Sequence, residues 1–426
     1  MPTKPTIYNY EATASELLNA IRNEMGVRFQ DRVPAVEQNL LSIRAFGEAL
    51  EAYDPTYNEF LSMLINRIGR VMITSKSYSN PYKQFKKGVL AYGEAIEEIF
   101  VVMAKAHNYD MTLAETNVYK REIPDVPAAY HKLNSRLYYK TTVSNEQIRL
   151  AFLNENGIVD LIGRIVDSLY SGSEVDEYLT MKQLIINDIN AGNFYPINIP
   201  AVTSDNAKEI AKKIRAASNN LTFVKDKFNA VGVPTHTEHR DQIIFMDSEF
   251  DATMDVDVLA FAFNMSKAEF LGQRVLIDDF ADLTGVHAAI VDRDYFMVFD
   301  SFMGFTQNYN GEGLYWNYWL HKWMVYATSP FCNAVVFTTE TPGVTSVTVT
   351  PATKQASAGD VIQFSAAVVT TGYASKDVKW TTTAGTIDAT GKLTVPSNAA
   401  ASDTITVTAT SVYDSAKKGT ATVTIK

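Results

Sequence analysis

The chain has 426 residues, 46% hydrophobic and 20% charged, the composition of a folded protein of roughly two to four domains. Acidic residues outnumber basic ones, 48 to 38, which argues against a nucleic-acid binder coated in Lys and Arg. The single cysteine, Cys332, excludes an intrachain disulfide and any zinc site built on several thiolates.

The start, Met1 to Tyr8, has no apolar core of a signal peptide. No apolar run approaches the ~18 residues that span a bilayer. The chain is therefore expected to fold in a reducing cytoplasm, without a membrane partner. Ser15 opens an amphipathic segment carrying Leu17, Leu18 and Ile21, and a long irregular arm is expected after it. Residues 60–68 predict a short helix and 70–77 a strand. Beyond the turn Ser79-Asn80-Pro81, Lys83, Lys86 and Lys87 sit beside Tyr82 and Phe85, ahead of Glu94, Glu97 and Glu98. Segments 89–104 and 130–143 predict the two strands of a long hairpin. Its basic tip would meet an acidic surface on a neighbouring subunit, which makes these six charged residues candidate intersubunit contacts. The plainer reading is a solvated charged face. Capping boxes are predicted at Thr112 to Glu115 and at Ser144 to Gln147.

The longest helical signal starts at Gly157. Ile158, Leu161, Ile162, Ile165, Val166 and Leu169 form one stripe, and the pattern runs on to Gly192, a natural C′ residue. About 35 residues at 1.5 Å each give a beam of ~50 Å. A helix capped by Ser204 is expected at 204–219. Short elements follow at 242–246, 251–263, 267–271, 274–277, 287–291 and 295–299, with the last two flanking a tight hairpin at Asp292 to Asp294. The segment 313–323 is the most aromatic in the chain. Trp316, Trp319 and Trp323 there read as an aromatic core or an intersubunit anchor before a ligand platform. Residues 333–338 predict a strand returning to the core.

Composition changes at Thr339 to Gly343. From Thr341 onward there are seven Lys and five Asp, a net of +2, which leaves −12 on the first 340 residues. Alternating runs at 344–350, 361–368, 378–382, 392–395, 404–410 and 420–425 predict an all-β module of the immunoglobulin-like sandwich class, with Trp380 between its sheets.

No constellation for catalysis stands out. His236 and His239 lie three apart in a loop-like stretch, without the helical spacing of a zinc protease. Asp251, Asp255, Asp257, Asp278, Asp279 and Asp282 read as caps and turns. Cys332 reads as a small buried hydrophobe. No phosphate-binding glycine motif or nucleophile elbow occurs. The reading is therefore of a non-enzyme with no cofactor and no metal.

Several strings carry a resemblance: Asn66-Arg-Ile-Gly-Arg-Val71, Asn80-Pro81 through Lys87-Gly88, Ile96-Glu-Glu-Ile-Phe100, Ser173-Glu-Val-Asp-Glu-Tyr178, Asp255-Val-Asp-Val-Leu-Ala260, Phe263-Asn-Met265, Phe270-Leu-Gly272, Phe296-Met-Val298, Gly313-Leu-Tyr-Trp-Asn-Tyr318 and Asn333-Ala334. In this order they resemble the major capsid proteins of small, short-tailed phages of the phi-twenty-nine-like group, across residues 15–340. That family also carries a C-terminal bacterial immunoglobulin-like domain of group 2. The resemblance implies an α+β capsid fold of the Hong-Kong-ninety-seven type followed by the sandwich at 341–426. It implies an N-terminal arm (1–70), an extended loop (71–145), a peripheral domain with a spine helix (146–200 and 311–340) and an axial domain (201–310). It further implies a structural protein that assembles in the host cytoplasm into pentamers and hexamers of a virion head. A scaffolding protein and a portal would be its partners, with packaged DNA held without specific binding. The +2 sandwich is expected on the exterior, where it could reach the host surface. The rival reading is a host-adhesion or surface-layer protein with such a module.

Overall fold

The structure, a computed structural model, describes residues 14–52, 60, 63, 78–91, 95–104, 106–107, 121, 126–152, 157–203, 205–254, 273–281 and 283–426. The chain begins with helices α1 (Ala14–Glu24), α2 (Val27–Arg32) and α3 (Leu40–Glu51), then a 3-10 turn at Pro81–Phe85. Strands β1 (Gly88–Val89), β2 (Ile96–Ile99), β3 (Ala128–His131) and β4 (Ser135–Ser144) lead to helices α4 (Asn145–Ala151) and α5 (Gly157–Ala191). Next come β5 (Tyr195–Asn198), α6 (Ala207–Leu221), β6 (Gln242–Asp247), α7 (Ser248–Met254), β7 (Gln273–Ile277) and β8 (Val286–Asp292). Two long strands, β9 (Phe296–Asn310) and β10 (Tyr315–Thr328), precede β11 (Ala334–Thr338). The rest is β: β12 (Gly343–Thr350), β13 (Thr353–Ala356), β14 (Val361–Gln363), β15 (Ser365–Thr371), β16 (Val378–Thr382), β17 (Thr386–Ile387), β18 (Lys392–Thr394), β19 (Thr404–Ser411) and β20 (Lys418–Ile425). The expected strand at 70–77, the Thr112 box, the Ser204 cap and the segments 255–263 and 267–271 lie outside the described residues. Of the helix expected at 60–68, Phe60 and Met63 are described, and both are helical.

Two compact units result: Met1–Glu94 with Leu133–Thr180 and Phe299–Val325, and Ala95–Lys132 with Met181–Val298 and Tyr326–Lys426. In the first, the arm expected to be irregular is helical. Its turns are tied by side chains: Arg22 donates to the carbonyls of Val33 and Gln30 at 2.7 and 2.8 Å, and Asn19 pairs with the Val36 backbone. These bonds satisfy groups that a short helix leaves open at its end. Leu18, Ile21, Phe29, Ile43, Phe46 and Leu50 then bury one face against Ile165 and Leu169 of α5 and Trp316, Tyr318 and Leu320 of β10. Phe46, Phe60 and Phe152 form its aromatic centre, with ring centroids 5.7–6.3 Å apart.

The sheet of this unit has the order β1-β9-β10-β4. β4 pairs antiparallel with β10 from Ser135↔Met324 to Ser144↔Tyr315. This corrects the expected hairpin of 89–104 with 130–143. Among the described residues, only Val89 of the first segment, with Gly88 just before it, joins this sheet, parallel to β9, and the ribbon actually formed is β2 with β3, Ile96↔His131 to Ile99↔Ala128. Periodicity identified the strands, but the partner of β4 lies some 180 residues away, which no local pattern can report. The second capping box forms as expected. Ser144 Oγ accepts from the Gln147 amide at 3.2 Å, and Gln147 Oε1 accepts from the Ser144 amide at 3.0 Å.

In the second unit a five-stranded mixed sheet, β5-β11-β8-β6-β7, places β11 and β8 inside. Ala334–Thr338 is buried at every position, as a returning core strand requires. α6 lays Ile210, Ile214 and Leu221 on Ile244, Met246, Ile290 and Phe337. The turn at Asp292 to Asp294 is tight, with the Tyr295 amide donating to the Asp292 carbonyl at 3.0 Å. It is not a hairpin, however, because β8 and β9 enter different sheets. The C-terminal strands β12–β20 surround their own core of Val347, Val349, Phe364, Leu393, Val407 and Val423. Trp380 packs against that core half-buried, while Phe364, 1% exposed, fills it.

Candidate assembly surfaces

The helix α5 places Ile165, Leu169, Ser173, Glu177 and Met181 at four-residue intervals on one buried face. Two of the five are polar, and they meet an inward residue of β10. Lys322 Nζ donates to Ser173 Oγ at 2.9 Å and lies 2.6 Å from a Glu177 carboxylate oxygen. The segment after Asn80 closes the cluster. Asn80 Nδ2 donates to Glu177 Oε1 at 3.0 Å, and Lys86 bridges Glu177 at 3.2 Å and Asp300 at 2.7 Å. The Glu177 side chain is fully buried, and those of Lys322 and Lys86 are nearly so. Burial pushes the Glu177 carboxyl up, but Lys322, then Lys86 and Asn80, outweigh it and hold it below the usual carboxylate range. Burial likewise disfavours the Lys86 ammonium, and Asp300 and Glu177 reverse this, so its proton is held more tightly than usual. Nearby, Tyr82 is buried against Tyr178, ring centroids 5.0 Å apart.

Lys83 and Lys86 thus engage acids of their own chain, Lys83 reaching Glu174 at 3.3 Å. They do not form the tip of a free hairpin. Lys87 is exposed, and Glu94 lies outside the described residues. Glu97 is exposed on the ribbon and accepts from Tyr130 Oη at 2.8 Å. Glu98, on the opposite face, contacts His131 at 3.1 Å and accepts from Ser329. Ile99 and Tyr130 of the ribbon, and Val101 and Met103 just after β2, are more than half exposed.

The tryptophans divide by strand parity. Trp316 faces the core with Tyr318, Leu320, Lys322 and Met324. Trp319 and Trp323 face the other side of the sheet, where Lys140 lies 5.6 Å and Arg136 5.1 Å from their ring centroids. Of the acidic zone, Asp278 and Asp279 pair with Lys182 at 2.7 and 2.5 Å, and Asp251 pairs with Arg274. Asp255, Asp257 and Asp282 lie outside the described residues. His239 contacts Ser218 Oγ at 3.1 Å, and Thr237 binds Asp292 at 2.6 Å, so this stretch is stitched into the fold. Burial and the Asp292 carboxylate push the Cys332 thiol up to about 12. No group of three or more His, Cys, Asp or Glu among the described residues could hold a metal ion, and no helix there is long and apolar enough to cross a membrane.

Residues 18–338 match the sequence model of the Phi29-like phage major capsid protein. The chain belongs to that family. It is 39% identical over 376 residues to a major capsid protein of Bacillus phage GA-1, covering 86% of this chain and 79% of the relative. With a major capsid protein of Bacillus phage B103 the identity is 37% over 393 residues, covering 90% of this chain and 87% of the relative. The fold is similar to a chain in the capsid of Staphylococcus phage Andhra, with a TM-score of 0.53, 15% identity, and coverage of 62% of this chain and 85% of that one. The protein is therefore a structural component of the virion head shell and not an enzyme. The adhesion or surface-layer reading receives no support from these relatives.

Proposed function

We propose that the chain closes shells of pentamers and hexamers through the β2–β3 ribbon, lying across a neighbouring copy. The observation that carries this is the ribbon itself. A two-stranded ribbon is marginal alone, yet this one presents Ile99 at 55% and Tyr130 at 64% exposure, and Met103, just after β2, is 54% exposed. Glu97 and, on the other sheet, Trp319 and Trp323 are the further contact candidates. Lys83 and Lys86 are spent on acids of their own unit and are not proposed as contacts between copies. The arm (1–70), extended loop (71–145), peripheral (146–200, 311–340) and axial (201–310) divisions follow the family's organisation. A scaffolding protein and a portal are the expected assembly partners, and the acidic wall encloses DNA without gripping it.

Residues 341–426 are proposed as an immunoglobulin-like sandwich on the exterior. The separate core of β12–β20 supports the module, and its size favours the outside, where it takes no genome space. The test is electron microscopy of Ile99→Asp with Tyr130→Ser, with scaffold present. Soluble, folded chains without closed shells are expected. Shells of normal size and yield would refute the ribbon's role.

A further inference from the structure

The end of α5 is built to receive another part of the chain. Gly192 stops the helix in a Schellman turn, its amide donating to the Ile189 carbonyl and that of Asn193 to Asp188, both at 3.0 Å. Its φ of +86° suits glycine. A second requirement falls on the same Cα. A Cβ there would lie 2.9 Å from the Ala374 carbonyl oxygen, 3.1 Å from Ser375 Cα and 3.3 Å from the Lys376 amide nitrogen. The backbone of a C-terminal loop thus rests directly on the bare glycine.

The loop also supplies what the helix lacks. The last turn of α5 carries no basic residue, although a helix C-terminus favours a cation. Lys376 Nζ donates to the Asn190 carbonyl in that turn at 2.8 Å. Tyr373 Oη donates to the Thr284 carbonyl at 2.9 Å, and Tyr413 packs on Tyr195 with centroids 6.5 Å apart. The connection between the two parts is held as well. Asn198 Nδ2 donates to the carbonyls of Thr339 and Glu340 at 3.2 and 2.9 Å, and the Thr339 amide donates to Gly285 at 2.8 Å.

We propose that the loop Tyr373–Asp377 is an intramolecular docking surface for the capped end of α5, which makes the C-terminal β region a fixed brace of its unit and not a tethered appendage. This holds whichever side of the shell the region occupies. A brace of this kind holds the C-terminal end of α5 and ties the C-terminal strands to the sheet through β5.

Hydrogen exchange by mass spectrometry on the full chain tests it. Residues 339–343 and 373–378 should be protected in the wild type. Lys376→Met with Tyr373→Phe removes two bonds and keeps most of each side chain. Exchange in both segments should rise by about tenfold or more, with β19 and β20 unchanged. Gly192→Asn tolerates the positive φ but adds a Cβ, so it should open the same segments while α5 stays protected. Free exchange of both segments in the wild type, or unchanged protection in the double variant, would overturn the proposal.

Discussion

Glu177→Gln keeps the size and position of the side chain and removes the charge that receives Lys322 at 2.6 Å and Lys86 at 3.2 Å. Among the described residues, the two ammonium groups, 8% and 11% exposed, then keep one carboxylate, that of Asp300 on Lys86. Removing one member of a buried ion pair costs about 3–5 kcal/mol, chiefly because the partner charge stays buried. Glu177 serves two lysines, so we expect a loss of ~4 kcal/mol. At about 2–4 °C per kcal/mol for a unit of this size, the melting temperature should fall by about 8–16 °C. Calorimetry or urea unfolding of the unassembled chain reads this directly. Adding Lys322→Met to Glu177→Gln replaces a stranded cation by an apolar side chain of similar length. Such replacement is close to neutral, so the double variant should regain at least about half the loss. A single variant within about 2 °C of wild type would refute the reasoning, as would a double variant no better than the single.

The same cluster predicts the acid limb of stability. Glu177 is held below its ordinary value of 4.5, so its contribution is complete above that value and is lost as pH falls through the folded value. The wild-type melting temperature should therefore lose a component below about pH 4 that Glu177→Gln does not show; identical acid limbs would contradict this. In the C-terminal region, Phe364→Ala should cost about 3–5 kcal/mol and Trp380→Ala distinctly less, since Phe364 is 1% exposed and Trp380 half-buried. Equal losses by denaturant titration would return Trp380 to the centre of the core.

Elements with strong local signals were legible in the sequence. The stripe from Gly157 to Gly192 predicts α5 to within a residue, because hydrophobic period and a glycine cap agree. Ser144 and Gln147 predict the start of α4 because a capping box is read from residues three apart in sequence. Most C-terminal strands follow their alternation, but β13 and β17 were missed, and the single run expected at 361–368 is two strands, β14 and β15, that enter different sheets. Pairings were the failure. The strand at 135–144 was legible as a strand, yet its partner is β10 and not the segment beginning at 89. Where two candidate strands are joined by a short turn, as at Asp292, proximity in sequence suggests a hairpin that the sheet order denies.

The charge cluster was partly legible, though the signal differs from a motif. Lysines at 83 and 86 stand out as a basic run, and a basic run ordinarily means a solvated face. Their partners are recognisable only by phase. Ser173 and Glu177 fall on the four-residue ladder of Ile165, Leu169 and Met181, and Lys322 falls on the inward parity of Trp316, Tyr318, Leu320 and Met324. A charged residue in an apolar phase must find an opposite charge or change its protonation. Two such residues of opposite sign, on a helix and a strand of one unit, therefore predict each other. The segment 80–89 supplies the second lysine and is thereby tied to one register, since sliding it by a residue would strand Lys86 away from Glu177 and Asp300. Lys86 therefore works as a register pin for the segment 80–89, holding β1 on β9 of the same unit.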